Sequence, residues 1–414
     1  MRPDAILVCK AEVFQRSNEI ADIESRVREI CNPLREKVKP KYSIAIAVGS
    51  RGIANIAKIT KEVVLCLQRI GAVPFIIPAM GSHGGATADG QAELLAEYGI
   101  TAERMGADIC SSMETLYIGD ADCSEKLPVY VDKYALEADG VIVINRVKPH
   151  TDFHGTHESG IVKMLVIGLG KHKQAILMHS FGADGLRDLI PLAAKKVLQK
   201  VNVIGAVGIV EDGFDKTSDI VFASKDEIFE KDGILLEESR KLIAKLPFEV
   251  IDTLIIDNMG KNISGTGMDT NVIGRMRIKG QADSAPDCKR IAVLNLSEAS
   301  HGNATGIGLA DVTTKRLFDS IDWRVTNENI ITSGFLERGF LPVVAEHDEQ
   351  AVDIATRGRY SSEEIRLVRI KNTLELGEIY LTKPLMEQLV ENKKGVQKGE
   401  YRPLKFIDGV ISEF

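Results

Sequence analysis

The stretch YSIAIAVGSRGIANIAKITKEVVLCLQRIGAVPFIIPAMGSHGG (residues 42–85) decides the fold of this chain. Its first nine residues are a short, continuous apolar run that reads as a buried strand. In KITKEVVLCLQRIG (58–71) the apolar positions move to helical spacing, and Gly71 supplies the stop. A second apolar run, VPFIIPAMG (73–81), reads as the next strand. Strand, helix, strand in this order predicts a mostly parallel sheet covered on both faces.

The alternation continues along the chain. DGQAELLAEYG (89–99) reads as a helix, and GVIVINRV (140–147), IVKMLVIGLG (161–170) and VIGAVGIVED (203–212) as strands, with helices near 171–180 and 184–200. A helical segment (225–246) ends before Pro247, where the pattern restarts with VIDTLIIDNMG (250–260) and KRIAVLNLS (289–297). Helices are expected near 307–319, 325–333 and 348–357, and strands at 366–372 and 376–382. The expected fold is α/β: two α/β domains with mostly parallel sheets flanked by helices, residues 1–247 and 248–414, with the active site in the cleft between them.

Composition sets outer limits. The chain has 414 residues, 44% of them hydrophobic and 27% charged, which is enough for two cores. A net charge of -7 without basic clusters argues against nucleic acid or an anionic membrane as partner. The six cysteines are scattered without a C-x-x-C and read as reduced thiols. With no signal-like N-terminus and no apolar run near the ~20 residues of a membrane span, the expected setting is cytoplasmic.

The unusual residues fall in loops after strands, where α/β sheets bind ligands. GSRGIAN (49–55) offers glycines, Ser50 and the Arg51 fork as an anion cradle. GSHGGAT (81–87) sets His83 beside Gly84 at the end of a strand. Between Asn145 and Ser180 stand His150, His154, His157, His172 and His179, five of the eight histidines. The H-x3-H-x2-H spacing of the first three leaves open a zinc site or a loop of acid/base imidazoles, since Pro149, Gly155 and Gly160 oppose a regular helix. Lys163, in an apolar run, is either an edge residue or a partly buried, activated amine. Further on, the glycine-rich stretch 257–277 carries Asp269, Asn271, Arg275 and Arg277, and 300–316 is a similar loop.

Taken together, these segments resemble the nickel-dependent lactate racemase family, the 2-hydroxy-acid racemases and epimerases that use a nickel-pincer nucleotide. The resemblance is strongest across 43–180 and at 257–280. GSH (81–83) matches the family's G-x-H loop at His83, and Pro149-His150 matches its P-H pair. Lys163 fits the lysine that can be joined to the cofactor, and His179, sixteen residues on, falls on the nickel ligand. Arg51 fits the first phosphate- or substrate-binding loop, and GMDTN (267–271) with Arg277 fits a segment of the second domain.

The resemblance implies pyridinium-3,5-bisthiocarboxylic acid mononucleotide nickel as cofactor, tethered at Lys163, with Arg51, Ser50 and Gly84 beside it and His179 on nickel. It implies His83 and His150 as the two acid/bases, with His154 as the alternative to His150. Asp269, Asn271, Arg275 and Arg277 are left for the substrate, and His157 and His172 for structure or solvent. The partners implied are a small 2-hydroxy acid or sugar acid and the proteins that make and insert the cofactor. Departures cluster on the substrate side: GSR replaces D-x-T-R, Ile273-Gly274 replaces Tyr-Gln, and the segment from Pro149 to Lys163 is three residues longer. They point to a substrate other than lactate. Two readings of other classes stand beside this one: a divalent-metal (zinc) hydrolase or lyase using His150, His154 and His157, and a non-catalytic metabolite-binding protein.

Overall fold

The computed structural model describes residues 3–49, 52–358, 361 and 363–412. Strand β1 (Leu7–Val13) is followed by β2 (Ser43–Val48), β3 (Val73–Pro78), a hairpin of β4 (Thr115–Asp120) and β5 (Pro128–Asp132), then β6 (Gly140–Arg146), β7 (Val203–Glu211) and β8 (Thr217–Ser224). Beyond these lie β9 (Val250–Met259), β10 (Asp287–Leu296), β11 (Val312–Thr314), β12 (Val343–Ala345), β13 (Leu367–Ile370), β14 (Glu378–Leu381) and β15 (Gly395–Gln397). The chain divides into two compact units, Ser17–Ile243 and a second made of the chain up to Arg16 with Ala244 onward.

The first unit is built on a sheet of order β3-β2-β6-β7-β8, in which only β8 runs antiparallel. From Ile44 to Val48, β2 is buried throughout, as a parallel strand covered on both faces must be. The crossover helix Ile56–Ile70 lays Ile59, Val63 and Leu67 into the core at helical spacing. It stops at Gly71, whose φ of 88° lets its N–H reach back to the carbonyls of Leu67 and Gln68. Because β2, β3, β6 and β7 are parallel, the loops that follow them leave the same edge of the sheet.

The second unit has the order β12-β11-β10-β9-β13-β14-β1-β15. Strands β9 to β13 are mutually parallel, while β14, β1 and β15 pair antiparallel. The expected boundary at 247/248 thus misplaces the N-terminus: β1 completes the sheet of the C-terminal unit. The sequence LVCKAEV marks a strand, but local patterning carries no information about which sheet takes it up.

Two other expectations are corrected. IVKMLVIGLG (161–170) is helical, not a strand: Ile161–Lys163 opens as an α-helix and Met164–Gly168 continues as a π-helical turn. Ile161, Val162, Leu165, Val166 and Leu169 are all enclosed, and a run buried all round has no periodicity to tell helix from strand. The stretch 307–319 is not one helix but a short 3-10 turn, strand β11 and a helix at Lys315–Asp319. Strand β11 is fixed from outside, where Thr313 and Thr314 donate to the Val293 and Leu294 carbonyls of β10. Among the described residues no helix is long and apolar enough to cross a membrane.

Candidate active site

The helical segment 161–179 lies across the strand ends of the first unit. A Cβ on Gly49, just past β2, would stand 2.2 Å from Asn145 Oδ1 at the end of β6 and 2.5 Å from Met164 Cε. One on Gly81, just past β3, would stand 3.0 Å from Ile167 Cγ2 and 3.7 Å from Ala175 Cβ. These glycines let three loops and one helix converge where side chains at those positions would hold them apart. The loop after β2 is anchored at Ala54, whose N–H donates to Glu211 Oε1 at 2.7 Å, and Glu211 is also paired with Arg146.

Within the histidine loop each imidazole has its own partner. His150 is 11% exposed and stacks on the buried Phe153 ring at 4.5 Å. Its Nδ1 accepts the Asp152 N–H at 3.0 Å, and its Nε2 lies 2.6 Å from Lys163 Nζ. With Nδ1 occupied as an acceptor, one proton serves the bond between Nε2 and the amine, since two donors cannot face each other at that distance.

His154 is more open, at 38% exposed, with Nδ1 3.3 Å from Glu158 Oε1. His157 is fixed by Asp232 Oδ2 at 2.9 Å from its Nδ1 and stands edge-on to Phe229. Among the described residues no three His, Cys, Asp or Glu side chains group as metal ligands. The three imidazoles are directed to an amine and two carboxylates, an arrangement unlike the shared centre of a zinc site.

Two buried carboxylates, neither singled out by sequence reading, hold this loop. Glu158 accepts from the N–H groups of His150 at 2.6 Å and Gly155 at 2.9 Å, and Arg240 bonds both it and the Gly155 carbonyl. Burial pushes the Glu158 carboxyl up, but hydrogen bonds from His154, His150 N–H and Gly155 N–H outweigh it and hold the group below its ordinary value. Asp232 accepts from Ile161 N–H at 2.5 Å and Val162 N–H at 3.4 Å, capping the helix that carries Lys163. Glu158 had a local signal, its place beside His157 in THESG. Asp232 had none, because its cap bridges some seventy residues.

His83 sits in the turn after β3, where Gly81, Gly84 and Gly85 all have φ near +60°. Gln91, fully buried and also missed, donates to the carbonyls of Gly81 at 2.9 Å and His83 at 3.2 Å and so fixes the turn. A Cβ on Gly84 would stand 2.5 Å from the Gly90 carbonyl, so this glycine serves the packing of the turn on its own helix. His179 ends the helix Lys171–His179, four residues beyond Ala175 and hence on the face that meets Gly81. His172 lies on that face too, with Nδ1 enclosed and no hydrogen-bond partner among the described residues. Lys171, which opens the helix, is fully buried against Asp132 Oδ2 at 2.9 Å. Ser50 and Arg51 lie outside the described residues.

In the second unit, Asp269 caps the short helix Thr270–Ile273, accepting from Asn271 N–H at 2.9 Å and Asn271 Nδ2 at 3.0 Å. Arg275 is enclosed, bonded to Asp311 Oδ2 at 2.7 Å and to the carbonyls of Leu309 and Cys288. Arg277 shares the same carboxylate, at 2.6 Å from Asp311 Oδ1, but its side chain stays 38% exposed.

Fold and site together define an α/β protein with an imidazole–amine centre at the strand ends. Residues 5–184 match the family model of the lactate racemase N-terminal domain. Among solved structures it is similar to the lactate racemase apoprotein from Thermoanaerobacterium thermosaccharolyticum, with a TM-score of 0.54 at 14% identity, covering 89% of this chain and 99% of that one. At that identity the likeness is one of fold. No curated protein matches the chain in sequence.

Proposed function

We propose that the protein inverts C2 of a 2-hydroxy acid other than lactate, a small carboxylate or sugar acid. The observation that carries this reading is the 2.6 Å contact between His150 Nε2 and Lys163 Nζ. It sets an acid/base imidazole beside the amine that the family resemblance assigns to the cofactor. His154, open to solvent and directed to Glu158, is the weaker candidate.

The residues present fit a nickel-pincer nucleotide in kind. Lys163 offers the amine for a tether, and His179 offers imidazole nitrogen, a donor that suits nickel. The same helix face carries the unsatisfied Nδ1 of His172. When bound, the group supplies a reversible acceptor for the C2 hydride. The chain's own residues manage the proton: His150 is assigned to take it from the substrate hydroxyl and return it. His83 is assigned the same duty for the other enantiomer. Glu158 and Arg240 keep the His150 loop in place, and Asp232 keeps Lys163 at the start of its helix. By the resemblance, Arg51, Ser50 and Gly84 attend the cofactor. Of the second-unit candidates, exposed Arg277 is assigned the substrate carboxylate ahead of enclosed Arg275. Loading requires the proteins that make and insert the cofactor, which places the enzyme in the cytoplasm with them.

The test is protein co-produced with that machinery and assayed by chiral analysis on a panel of 2-hydroxy acids and sugar acids. His150→Ala should abolish interconversion while nickel stays bound, and His154→Ala should keep most of it. Full activity in His150→Ala with loss in His154→Ala moves the proton to His154. One equivalent of zinc without an organic chromophore overturns the reading.

A further inference from the structure

Away from the histidine loop, the first unit has a pocket of about 670 Å³ between the helices Ile23–Ile30 and Ile56–Ile70. Cys31, at the end of one helix, and Cys66, within the other, both line it, together with Arg28, Arg35 and Arg69. Cys31 and Cys66 thus face the same pocket from two packed helices. Arg69 Nη1 lies 3.8 Å from Cys66 Sγ and 2.9 Å from the buried Glu62 carboxylate, which Arg28 also faces at 3.6 Å. Glu29 lines the pocket too, but it is engaged by Arg26 at 3.1 Å. Interaction with Cys31 pulls the Cys66 thiol down and drives the Cys31 thiol up, while Arg69 and Arg28 add to the lowering of Cys66 against burial and Glu62. One thiol is lowered and the other raised, beside three arginines that line the same pocket. That is the environment of a reactive thiol rather than of two inert core residues.

We propose that Cys66 and Cys31 form a dithiol site that is oxidised by a small anionic disulfide drawn in by Arg28, Arg35 and Arg69. The Cys66 thiolate attacks one sulfur of the incoming R–S–S–R, forming Cys66–S–S–R and releasing RS⁻. Cys31 then gives its proton to the departing thiolate and attacks Cys66 Sγ. The mixed disulfide breaks, the second RS⁻ leaves and takes a proton from water, and Cys31–Cys66 is closed. The two protein thiols are oxidised by two electrons and the co-reactant is reduced to two thiols. A carboxylate-bearing disulfide, and not a neutral or cationic one, is what the arginines select. The site is independent of the histidine loop, so it stands or falls apart from the proposed function.

The test uses the reduced full-length chain at low ionic strength with oxidised glutathione as the anionic probe and cystamine as the cationic one. Each rate is divided by that of a free small thiol with the same probe. Peptide mapping should find a Cys31–Cys66 link, with oxidised glutathione favoured on the order of tenfold and salt eroding the preference. Cys31→Ser should instead hold one glutathione on Cys66, and Arg69→Gln should reduce the preference. Modification of the half-exposed Cys110 or Cys123 ahead of Cys66 in the unaltered chain overturns the proposal, as does equal normalised reactivity toward both probes.

Discussion

Gly160→Ala should damage the first unit far more than one added methyl suggests, and Asp232→Ala should remove most of that damage. A Cβ at position 160 would meet three atoms first, all of Asp232: Oδ1 at 2.2 Å, Cγ at 3.0 Å and Oδ2 at 3.2 Å. Forced overlap in a packed interior costs about 1–3 kcal/mol, and pushing the carboxylate off the Ile161 N–H forfeits a helix cap of about 1 kcal/mol. Against this, losing glycine's freedom in the unfolded chain gains about 0.4–1 kcal/mol, leaving a net loss of roughly 1–3.6 kcal/mol. Asp232→Ala strands the Ile161 N–H and the His157 imidazole at about 1–3 kcal/mol each. In the double variant the added methyl no longer faces a carboxylate, so its stability should exceed that of Asp232→Ala alone by about 0.4–1 kcal/mol. The coupling energy should then be roughly 2–4 kcal/mol, well above the scatter of independent sites. Urea unfolding of the intact chain should be followed by far-UV circular dichroism, with amide exchange across 161–169 as the local probe. The only tryptophan, Trp323, lies in the other unit and does not report on this helix. Additivity within about 0.5 kcal/mol would refute the account of how the Lys163 helix is capped.

Two further outcomes follow from the same buried groups. Glu158 is held below its ordinary 4.5, so its contribution to stability is fully present above that value and is lost as pH falls through the folded one. Glu158→Gln should therefore flatten the acid limb of a stability–pH curve, and an unchanged limb in urea titrations would count against the assignment. Lys171→Met should cost about 3–5 kcal/mol in urea unfolding, because it leaves the fully buried Asp132 carboxylate without its cation. A loss under 1 kcal/mol would show that this pair does not hold the helix start to the β4–β5 hairpin.

The sequence discloses the sheet-and-helix alternation because buried parallel strands and amphipathic crossover helices differ in period. β2, the helix after it, and β3 all lie where the spacing puts them. Legibility ends where a segment is buried on every side or completed from afar. The run 161–170 looks like a strand because nothing in it alternates, and its helical start depends on Asp232. β1 reads as a strand, yet its sheet lies with the C-terminal unit. The candidate site was legible as residue types: His150 and Lys163 are chemically conspicuous, and the structure brings them to 2.6 Å. The groups that support them, Glu158, Asp232, Arg240 and Gln91, are ordinary polar residues in sequence. They gain meaning only from the N–H groups and carbonyls that folding sets in front of them.

The central claim, inversion at C2 with the same hydrogen returned to carbon, is tested most directly by one isotope experiment. Cofactor-loaded protein is incubated in ordinary water with a C2-deuterated 2-hydroxy acid from the panel, and the inverted enantiomer is analysed by chiral separation and mass spectrometry. The account expects the inverted product to keep its deuterium. Inversion with the label washed out to solvent would mean direct proton abstraction from C2, and would contradict it.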